Sequence, residues 1–378
     1  MSLTKVTYSM IQGSVVNVLD YMPPGHVTAT TDCSSYINTA ISDNPGKTIY
    51  FPTGEYLITS SIVSNVSGTN LVGDGVTSII KKTGTTAAVI IGDGTSGGGF
   101  DYLGLYTGSI KSLLIKAGDI TVTRGLWMRG AREISITDVT IEGLAVATKS
   151  FPIAALDMEE CWSNKLINVT TKFAITYGMW IHNKPAGIGG GSNAIAMLGC
   201  TAVHCDGRGI VYSGGGCQMH GVYVERNIGG GIELSSAQGV LIDGYFEENG
   251  PFDVVVKTGV TGVSILGSYH INFNDINNRG VWIESGATRV NVQNNTFNFA
   301  TSAGASGVYM EAGALEVSLG GNIVAVGSNH ALYSGAGYLT ASVLESNALK
   351  GSVFPLGIAG GSQSGSGGTY VEKPLQIN

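Results

Sequence analysis

Charge is scarce in this chain, and what there is leans acidic. Only 12% of its 378 residues are Asp, Glu, Lys or Arg, and 20 Lys and Arg against 27 Asp and Glu leave a formal charge of −7. There is no basic stripe, which excludes nucleic acid as a partner. An acidic surface has no pull towards anionic membranes, and no apolar run approaches the about 18 residues that mark a membrane span. The N-terminus lacks a basic segment followed by an apolar one, so no signal peptide is expected. The chain is expected to be made in a cytoplasm and to leave the cell by lysis or as part of a particle. Cysteine is sparse too: the five residues Cys33, Cys161, Cys200, Cys205 and Cys217 form no C-x-x-C pair and no His/Cys zinc spacing. They read as reduced, buried thiols, with Cys200, Cys205 and Cys217 as small core fillers. Neither metal nor cofactor is expected. Helical periodicity is missing apart from one short stretch near the start.

Glycine, in contrast, is plentiful: 57 of 378 residues, about twice the usual share, and without the Gly-X-Y period of collagen. Much of it punctuates a repeat. Arg208-Gly-Ile-Val-Tyr-Ser, Gly230-Gly-Ile-Glu-Leu-Ser, Phe252-Asp-Val-Val-Val-Lys, Arg279-Gly-Val-Trp-Ile-Glu and Ser306-Gly-Val-Tyr-Met-Glu start 22, 22, 27 and 27 residues apart. Arg124-Gly-Leu-Trp-Met-Arg, Ala154-Ala-Leu-Asp-Met-Glu, Tyr177-Gly-Met-Trp-Ile-His and His330-Ala-Leu-Tyr-Ser extend the series to nine rungs. Alternation over five residues is a half-buried strand. One such unit cannot bury its apolar face alone, so a strand recurring every 20-odd residues implies a stacked solenoid. A second column aligns Gly221-Val-Tyr-Val-Glu-Arg-Asn with Asp243-Gly-Tyr-Phe-Glu-Glu-Asn, and Asn227 and Asn249 suit a tight bend that takes a left-handed residue. Two or more strand columns per turn with almost no helix predict an all-β, right-handed, single-stranded parallel β-helix of about eleven or twelve rungs.

The inward positions of the nine rungs are all apolar or aromatic. The outward ones carry the chemistry. One outward stripe reads Trp127, Asp157, Trp180, Val211, Glu233, Val255, Trp282, Tyr309, and the next reads Arg129, Glu159, His182, Ser213, Ser235, Lys257, Glu284, Glu311. Trp127, Trp180, Trp282 and Tyr309 suit a sugar-binding groove, because an aromatic face stacks on the apolar face of a pyranose. They equally suit packing under inserts or against a neighbouring subunit. Glu233 stands between Val211 and Val255, where desolvation favours a general acid. Asp157 and Glu159 lie beside Arg129 and His182 and read as ionised. Glu225 and Glu247 occupy equivalent positions on adjacent rungs, about 5 Å apart, a spacing that suits a retaining glycosidase.

Along the chain, residues 1–14 read as an arm, Val15 to Asp20 as a short strand, and Ser35 to Ser42 as a helix capped by Asp32 or Ser34 with Tyr36, Ile37, Ala40 and Ile41 on one face. Residues 15–356 form the β-helix, with an N-terminal cap at about 15–82. Lys184 to Ser192 is an insert off the rod. Residues 357–378 follow as a Gly/Ser-rich tail.

The order Asn17-Val-Leu-Asp-Tyr, short helix, Ile49-Tyr-Phe-Pro-Thr-Gly-Glu-Tyr-Leu-Ile, Leu71-Val-Gly-Asp-Gly resembles the N-terminal cap of the pectate-lyase-like β-helix superfamily, in the branch found in bacteriophage tailspikes. Val6-Thr-Tyr-Ser-Met-Ile-Gln-Gly-Ser-Val-Val-Asn-Val is similar to the linker that precedes that cap. The resemblance covers roughly residues 5–82. It implies a virion protein that binds and depolymerises a bacterial surface polysaccharide, a homotrimer, and attachment to other tail or baseplate proteins through the N-terminus. Hydrolysis by Glu233, Glu225, Glu247, Asp157 or Glu159 is the first expectation. β-Elimination involving Arg129, His182 and Lys257 is the alternative, and a non-catalytic receptor-binding spike is the third reading. Polygalacturonase-like signatures (Asn-Thr-Asp, Asp-Asp, Gly-His-Gly, Arg-Ile-Lys) are missing, so no catalytic motif carries over.

Overall fold

The computed structural model describes residues 15–92, 108–183, 191–273, 278–299, 305–311, 313–326, 332–334, 343–345 and 348–350. The arm at 1–14, the tail at 357–378 and most of the 184–192 insert lie outside the described residues. Ser192 does not belong to that insert. It opens the strand Ser192–Leu198, is buried, and donates from Oγ to the His182 carbonyl at 2.9 Å.

Apolar residues at alternate positions have only one way to leave water here, which is to stack turn upon turn. Eleven parallel strands do so in one sheet: Ile62–Ser64, Val89–Ile91, Arg124–Arg129, Ala154–Glu159, Tyr177–His182, Arg208–Tyr212, Gly230–Leu234, Phe252–Val256, Arg279–Ile283, Ser306–Met310 and Leu332–Ser334. Each pairs with the next in sequence, so the chain contributes one strand per turn. A second sheet of 21 strands supplies the other two sides of the coil. Crossovers between parallel strands are right-handed, and eleven strands at about 4.8 Å give a rod on the order of 50 Å long. The nine expected rungs are all strands, and every expected inward residue from Leu126 to Met310 is buried; in the ninth rung the expected inward phase, Ala331 and Tyr333, is off by one residue, since Leu332 pairs with Val308 and Tyr333 with the outward Tyr309. The shift of 22 also holds: Tyr223 pairs with Tyr245, Val224 with Phe246 and Glu225 with Glu247.

The corner after the first residue of most strands of the eleven-stranded sheet explains one recurring feature of the repeat, its glycine. A Cβ at Gly231 would lie 2.3 Å from the Asp253 carbonyl oxygen, and one at Gly178 would lie 2.5 Å from that of Gly209. Among the nine copies, Ala155, Asp253 and Ala331 stand in the sequence where the other six have glycine.

Two expectations need correction. Asn227 and Asn249 are not the left-handed residues of their bend; the positive φ falls on Arg226 (51°) and Glu248 (48°). The asparagine side chains are instead spent inside the coil. Asn227 Nδ2 donates to Asn249 Oδ1 at 3.0 Å and to the Ala202 carbonyl at 2.9 Å, and Asn295 and Asn322 repeat the arrangement at 3.1 Å. Nor does Val15 to Asp20 form one strand. Only Val16–Asn17 is extended, because Asn17 Oδ1 accepts from Leu19 N at 2.9 Å and starts a 3-10 turn over Val18–Tyr21.

The cap helix spans Ser34–Ser42 and buries Ile37, Ala40 and Ile41. Asp32 accepts from Ser34 N at 3.0 Å and Ser34 Oγ at 2.5 Å, and ties them to Thr59 N at 3.0 Å and Thr59 Oγ1 at 2.8 Å. Burial opposes ionisation of this carboxyl, but the bonds from Ser34 and Thr59 win and pull it down to about 2 from 3.8. A lowered carboxyl stabilises the fold above its unfolded value and loses that effect as pH falls through its folded one. Urea unfolding should therefore show stability dropping between pH 4 and about 2, and the Asp32→Asn variant should show a smaller drop across that window.

Candidate functional site

The outward residues of the eleven-stranded sheet build one continuous face of three columns. Two columns are the stripes read from the alternation. The third is the first residue of each strand: Arg124, Ala154, Tyr177, Arg208, Gly230, Phe252, Arg279 and Ser306. Strand parity alone would send these side chains inward, since Arg124 lies an even number of residues from the buried Leu126. The bend at the following residue turns Arg124, Tyr177, Arg208 and Arg279 out, whereas Ala154, Phe252 and Ser306 are buried. Arg124 Nε donates to Asp157 Oδ2 at 2.5 Å, Arg208 Nε donates to Glu233 Oε2 at 2.9 Å, and the Arg279 guanidinium sits 3.9 Å from the ring centroids of both Trp282 and Tyr309.

The densest part of the face lies on the strands Arg124–Arg129, Ala154–Glu159 and Tyr177–His182. Asp157 sits at its centre with 0% exposure. Arg124 holds one oxygen, and His182 Nε2 lies 3.0 Å from the other. His182 Nδ1 lies 2.8 Å from the Asn183 carbonyl oxygen. Both ring nitrogens thus face an acceptor oxygen of the protein, the Asp157 carboxyl on one side and the Asn183 carbonyl on the other. Trp180 stacks on this imidazole at 3.6 Å and 16°, with the Tyr177 ring 5.2 Å beyond. Arg124 and Arg129 lie 4.1 and 4.3 Å from the Trp127 centroid, and Arg129 Nε is 3.9 Å from Glu159. No hydrogen-bond partner for the Tyr177 hydroxyl occurs among the described residues. Six of the expected residues (Trp127, Arg129, Asp157, Glu159, Trp180 and His182) thus meet in one cluster.

At the far end of the face, Trp282 Nε1 donates to Glu311 Oε1 at 3.0 Å, Lys257 pairs with Glu284, and Tyr309 meets Trp282 edge to face at 6.1 Å. Glu233 lies between the two clusters. It is not isolated: Arg208, reaching from the preceding rung, occupies Oε2, and this removes the apolar seclusion on which a role as general acid rested. The indoles have likewise met partners from their own stripe. Trp127 and Trp282 rest against guanidinium groups and Trp180 against an imidazole.

Glu225 and Glu247 lie elsewhere, on an outer face of the 21-stranded sheet. They are direct partners on adjacent strands. Tyr223 donates to Glu225 Oε2 at 2.7 Å and Tyr245 to Glu247 Oε2 at 3.1 Å. Tyr223, Tyr245 and Tyr269 stack at 5.3 and 5.7 Å, and Arg226 Nη1 reaches Glu225 Oε1 at 3.0 Å. Burial and the neighbouring carboxylates push both the Tyr223 and Tyr245 hydroxyls up, which keeps them as donors.

Among the described residues, no group of three or more His, Cys, Asp or Glu is placed to hold a metal ion, and no helix is long and apolar enough to cross a membrane. Sequence reasoning missed Arg124, Tyr177, Arg208 and Arg279, although Arg-Gly at the same phase of three rungs was a readable signal.

Residues 15–210, just over half of the chain, match the family model described as rhamnogalacturonase A/epimerase, pectate lyase-like. No curated protein matches the sequence. Among solved structures, the A-module of the Azotobacter vinelandii mannuronan C-5 epimerase AlgE4 is similar at TM-score 0.67 and 16% identity, covering 90% of this chain and 98% of that one. The AlgE6 A-module gives 0.71 and 16%, covering 90% and 96%. ORF18 of Geobacillus virus E2 gives 0.56 and 16%, covering 89% of this chain and 61% of that one. At these identities the likeness is one of fold.

Proposed function

Since the chain belongs to the rhamnogalacturonase A/epimerase, pectate lyase-like family, we propose that it lays a bacterial surface polysaccharide along the outer face of its eleven-stranded sheet and cleaves it there by β-elimination. The observation that carries this reading is the Arg124–Asp157–His182 cluster with Arg129 and Tyr177 around it. Elimination beside a sugar carboxylate needs cations to hold that carboxylate, a base that takes the proton from the adjacent carbon as the carbon–carbon double bond forms and the C4–O4 bond breaks, and a proton returned to the departing oxygen. Arg129 and Arg208 supply the cations, and the Tyr177 hydroxyl, without a partner among the described residues, is the group that takes the proton as its phenolate and returns it to the departing oxygen. Asp157, fully buried and engaged at both oxygens, acts as a positioning residue that fixes Arg124 and His182. Lys257 and Arg279 extend the cationic track towards Trp282 and Tyr309. This revises the ranking that the sequence suggests, because Asp157 is closed to substrate and Glu233 is ion-paired. The similarity to two C-5 epimerase modules adds support for proton abstraction as the chemistry of the face.

A second reading keeps hydrolysis, and one observation favours it: Glu225 and Glu247 occupy adjacent rungs, about 4.8 Å apart along the rod, close to a retaining spacing. The setting proposed for either reaction is a phage tailspike, trimeric and joined to the tail through its N-terminus. The viral ORF18 likeness and the linker-like opening support that setting, and sedimentation of the intact chain tests the trimer. A digest of capsule and O-antigen polysaccharides, followed by reducing ends and by the ultraviolet absorbance of unsaturated uronates, tests the reaction. Both signals rising together is the expected result. Reducing ends without absorbance point to the Glu225/Glu247 reading, and binding without either signal leaves a recognition spike.

A further inference from the structure

At the corner where six of the nine repeat copies carry glycine, one rung carries a carboxylate. Asp253 is 0% exposed, and so is the group it meets, His270, whose Nδ1 lies 3.1 Å from Asp253 Oδ2. His270 is itself out of keeping with its column. It lies between Phe246 and Phe297, stacked on each at 4.6 Å, in a place the neighbouring rungs fill with phenyl rings. Its Nε2 is buried and has no hydrogen-bond partner among the described residues. The groups facing Asp253 are His270, Asn249, whose Nδ2 donates at 3.1 Å, and Asn278. Those facing His270 are Asp253 and the two phenyl rings. Among the described residues no other charged side chain is in contact with either group, so each is the other's only ionisable neighbour. With one proton between them the two groups carry no net charge. Adding or removing a proton leaves a net charge away from water, which costs several kcal/mol.

Asp253 follows Phe252, and Phe252 is a structural joint of the outer face. Its ring covers Gly230, where a Cβ would come within 2.4 Å of it. It lies 5.7 Å from the Arg208 guanidinium and 6.2 Å from the Trp282 ring. The backbone that seats the buried pair thus also seats the ring between the Arg208–Glu233 pair and the Trp282 cluster.

We propose that Asp253 and His270 form an internal proton latch that sets the packing of Phe252 and, through it, couples the outer face to pH. The consequence for substrate rests on reading that face as the substrate surface; the latch itself does not. Burial pushes the Asp253 carboxyl up, against the pull of His270, Asn249 and Asn278. A raised carboxyl keeps its proton in the fold where the unfolded chain has released it. The stability it lends is complete below 3.8 and is lost as pH rises through the folded value.

The test uses no substrate, so it stands or falls apart from the proposed reaction. The full chain is labelled with 5-fluorotryptophan. It has four tryptophans, and the Trp282 resonance is assigned by its loss in Trp282→Phe. Fluorine spectra are then recorded from pH 5 to 9. The Trp282 signal is expected to shift with pH in the wild type, with a midpoint matching the pH dependence of unfolding, while Trp162 stays fixed. In Asp253→Asn, and in the double variant Asp253→Ala/His270→Phe, the shift is expected to vanish. Both variants keep Glu311, Lys257, Arg279 and Glu284 around Trp282, so a response from those groups would persist. An unshifted wild type overturns the latch, and so does a shift of equal size in the double variant. The double variant carries residue types found at these positions on other rungs, so the test survives a failure of Asp253→Asn to fold.

Discussion

Replacing His270 with Phe destabilises the fold by about 3–5 kcal/mol, although Phe continues the Phe246 and Phe297 stack on both sides. That is the expected result, because the loss has nothing to do with ring packing. The substitution leaves the buried Asp253 carboxyl without its ring partner, and breaking one side of a buried pair costs about that much. Adding Asp253→Ala should restore most of the loss. Ala155 already occupies the equivalent corner, and the Asp253 Cβ is accommodated where it stands. Asn249 keeps its bond to the Val224 carbonyl at 2.9 Å, and Asn278 keeps those to the Asn249 and Gly250 carbonyls at 2.8 Å. The double variant is expected within about 1–2 kcal/mol of wild type, since apolar replacement of an entire buried pair is often neutral or stabilising. Urea unfolding of the four proteins at pH 7 gives the coupling energy directly. Additive single effects would mean that the two side chains do not act as a pair.

The second large effect falls on turnover. Asp157→Asn keeps the size of the side chain but removes the charge that fixes Arg124 at 2.5 Å and faces His182 at 3.0 Å. Misplacing groups that hold and protonate substrate costs about 10²–10⁴-fold in rate, so kcat is expected to fall by at least about 10²-fold. KM should move much less, because Arg129, Arg208 and Lys257 still line the face. Asp157→Ala should lower kcat as far and also cost about 3–5 kcal/mol of stability through the stranded Arg124 and His182. A Glu225→Gln or Glu247→Gln variant should leave turnover near wild type. An unchanged kcat in Asp157→Asn with loss in Glu225→Gln would move the reaction to the tyrosine-lined face.

The fold was legible because a parallel solenoid writes its core into a fixed short pattern. Leu126 and Met128 alternate with Trp127 and Arg129 for the same reason that Val281 and Ile283 alternate with Trp282 and Glu284: one side of each strand faces the coil. Stacked turns also repeat at a fixed register, so Glu225 could be matched to Glu247 by counting. The site was legible only in part, because alternation fails at a corner. Arg124, Tyr177, Arg208 and Arg279 have inward parity, yet the bend after each turns it onto the outer face. Glu233 looked secluded beside Val211 and Val255 since its true partner, Arg208, sat in a column that parity assigned to the core. The three stripe tryptophans signalled an aromatic face correctly. Their stacking partners depended on the same hidden column, as with Arg124 on Trp127 and Arg279 on Trp282. Asp253 was visible as a break in the glycine corner, but nothing in the spacing joined it to His270, 17 residues away on another sheet.

The most direct test is a crystal structure of the Asp157→Asn protein soaked with the shortest oligosaccharide that a limit digest leaves. Sugar is expected along the outer face of the eleven-stranded sheet, with a carboxylate against Arg129 or Arg208 and a ring near the Tyr177 hydroxyl. Sugar bound instead along Tyr223, Tyr245 and Tyr269, with Glu225 and Glu247 on either side of a glycosidic oxygen, would contradict the assignment of the reaction to that face.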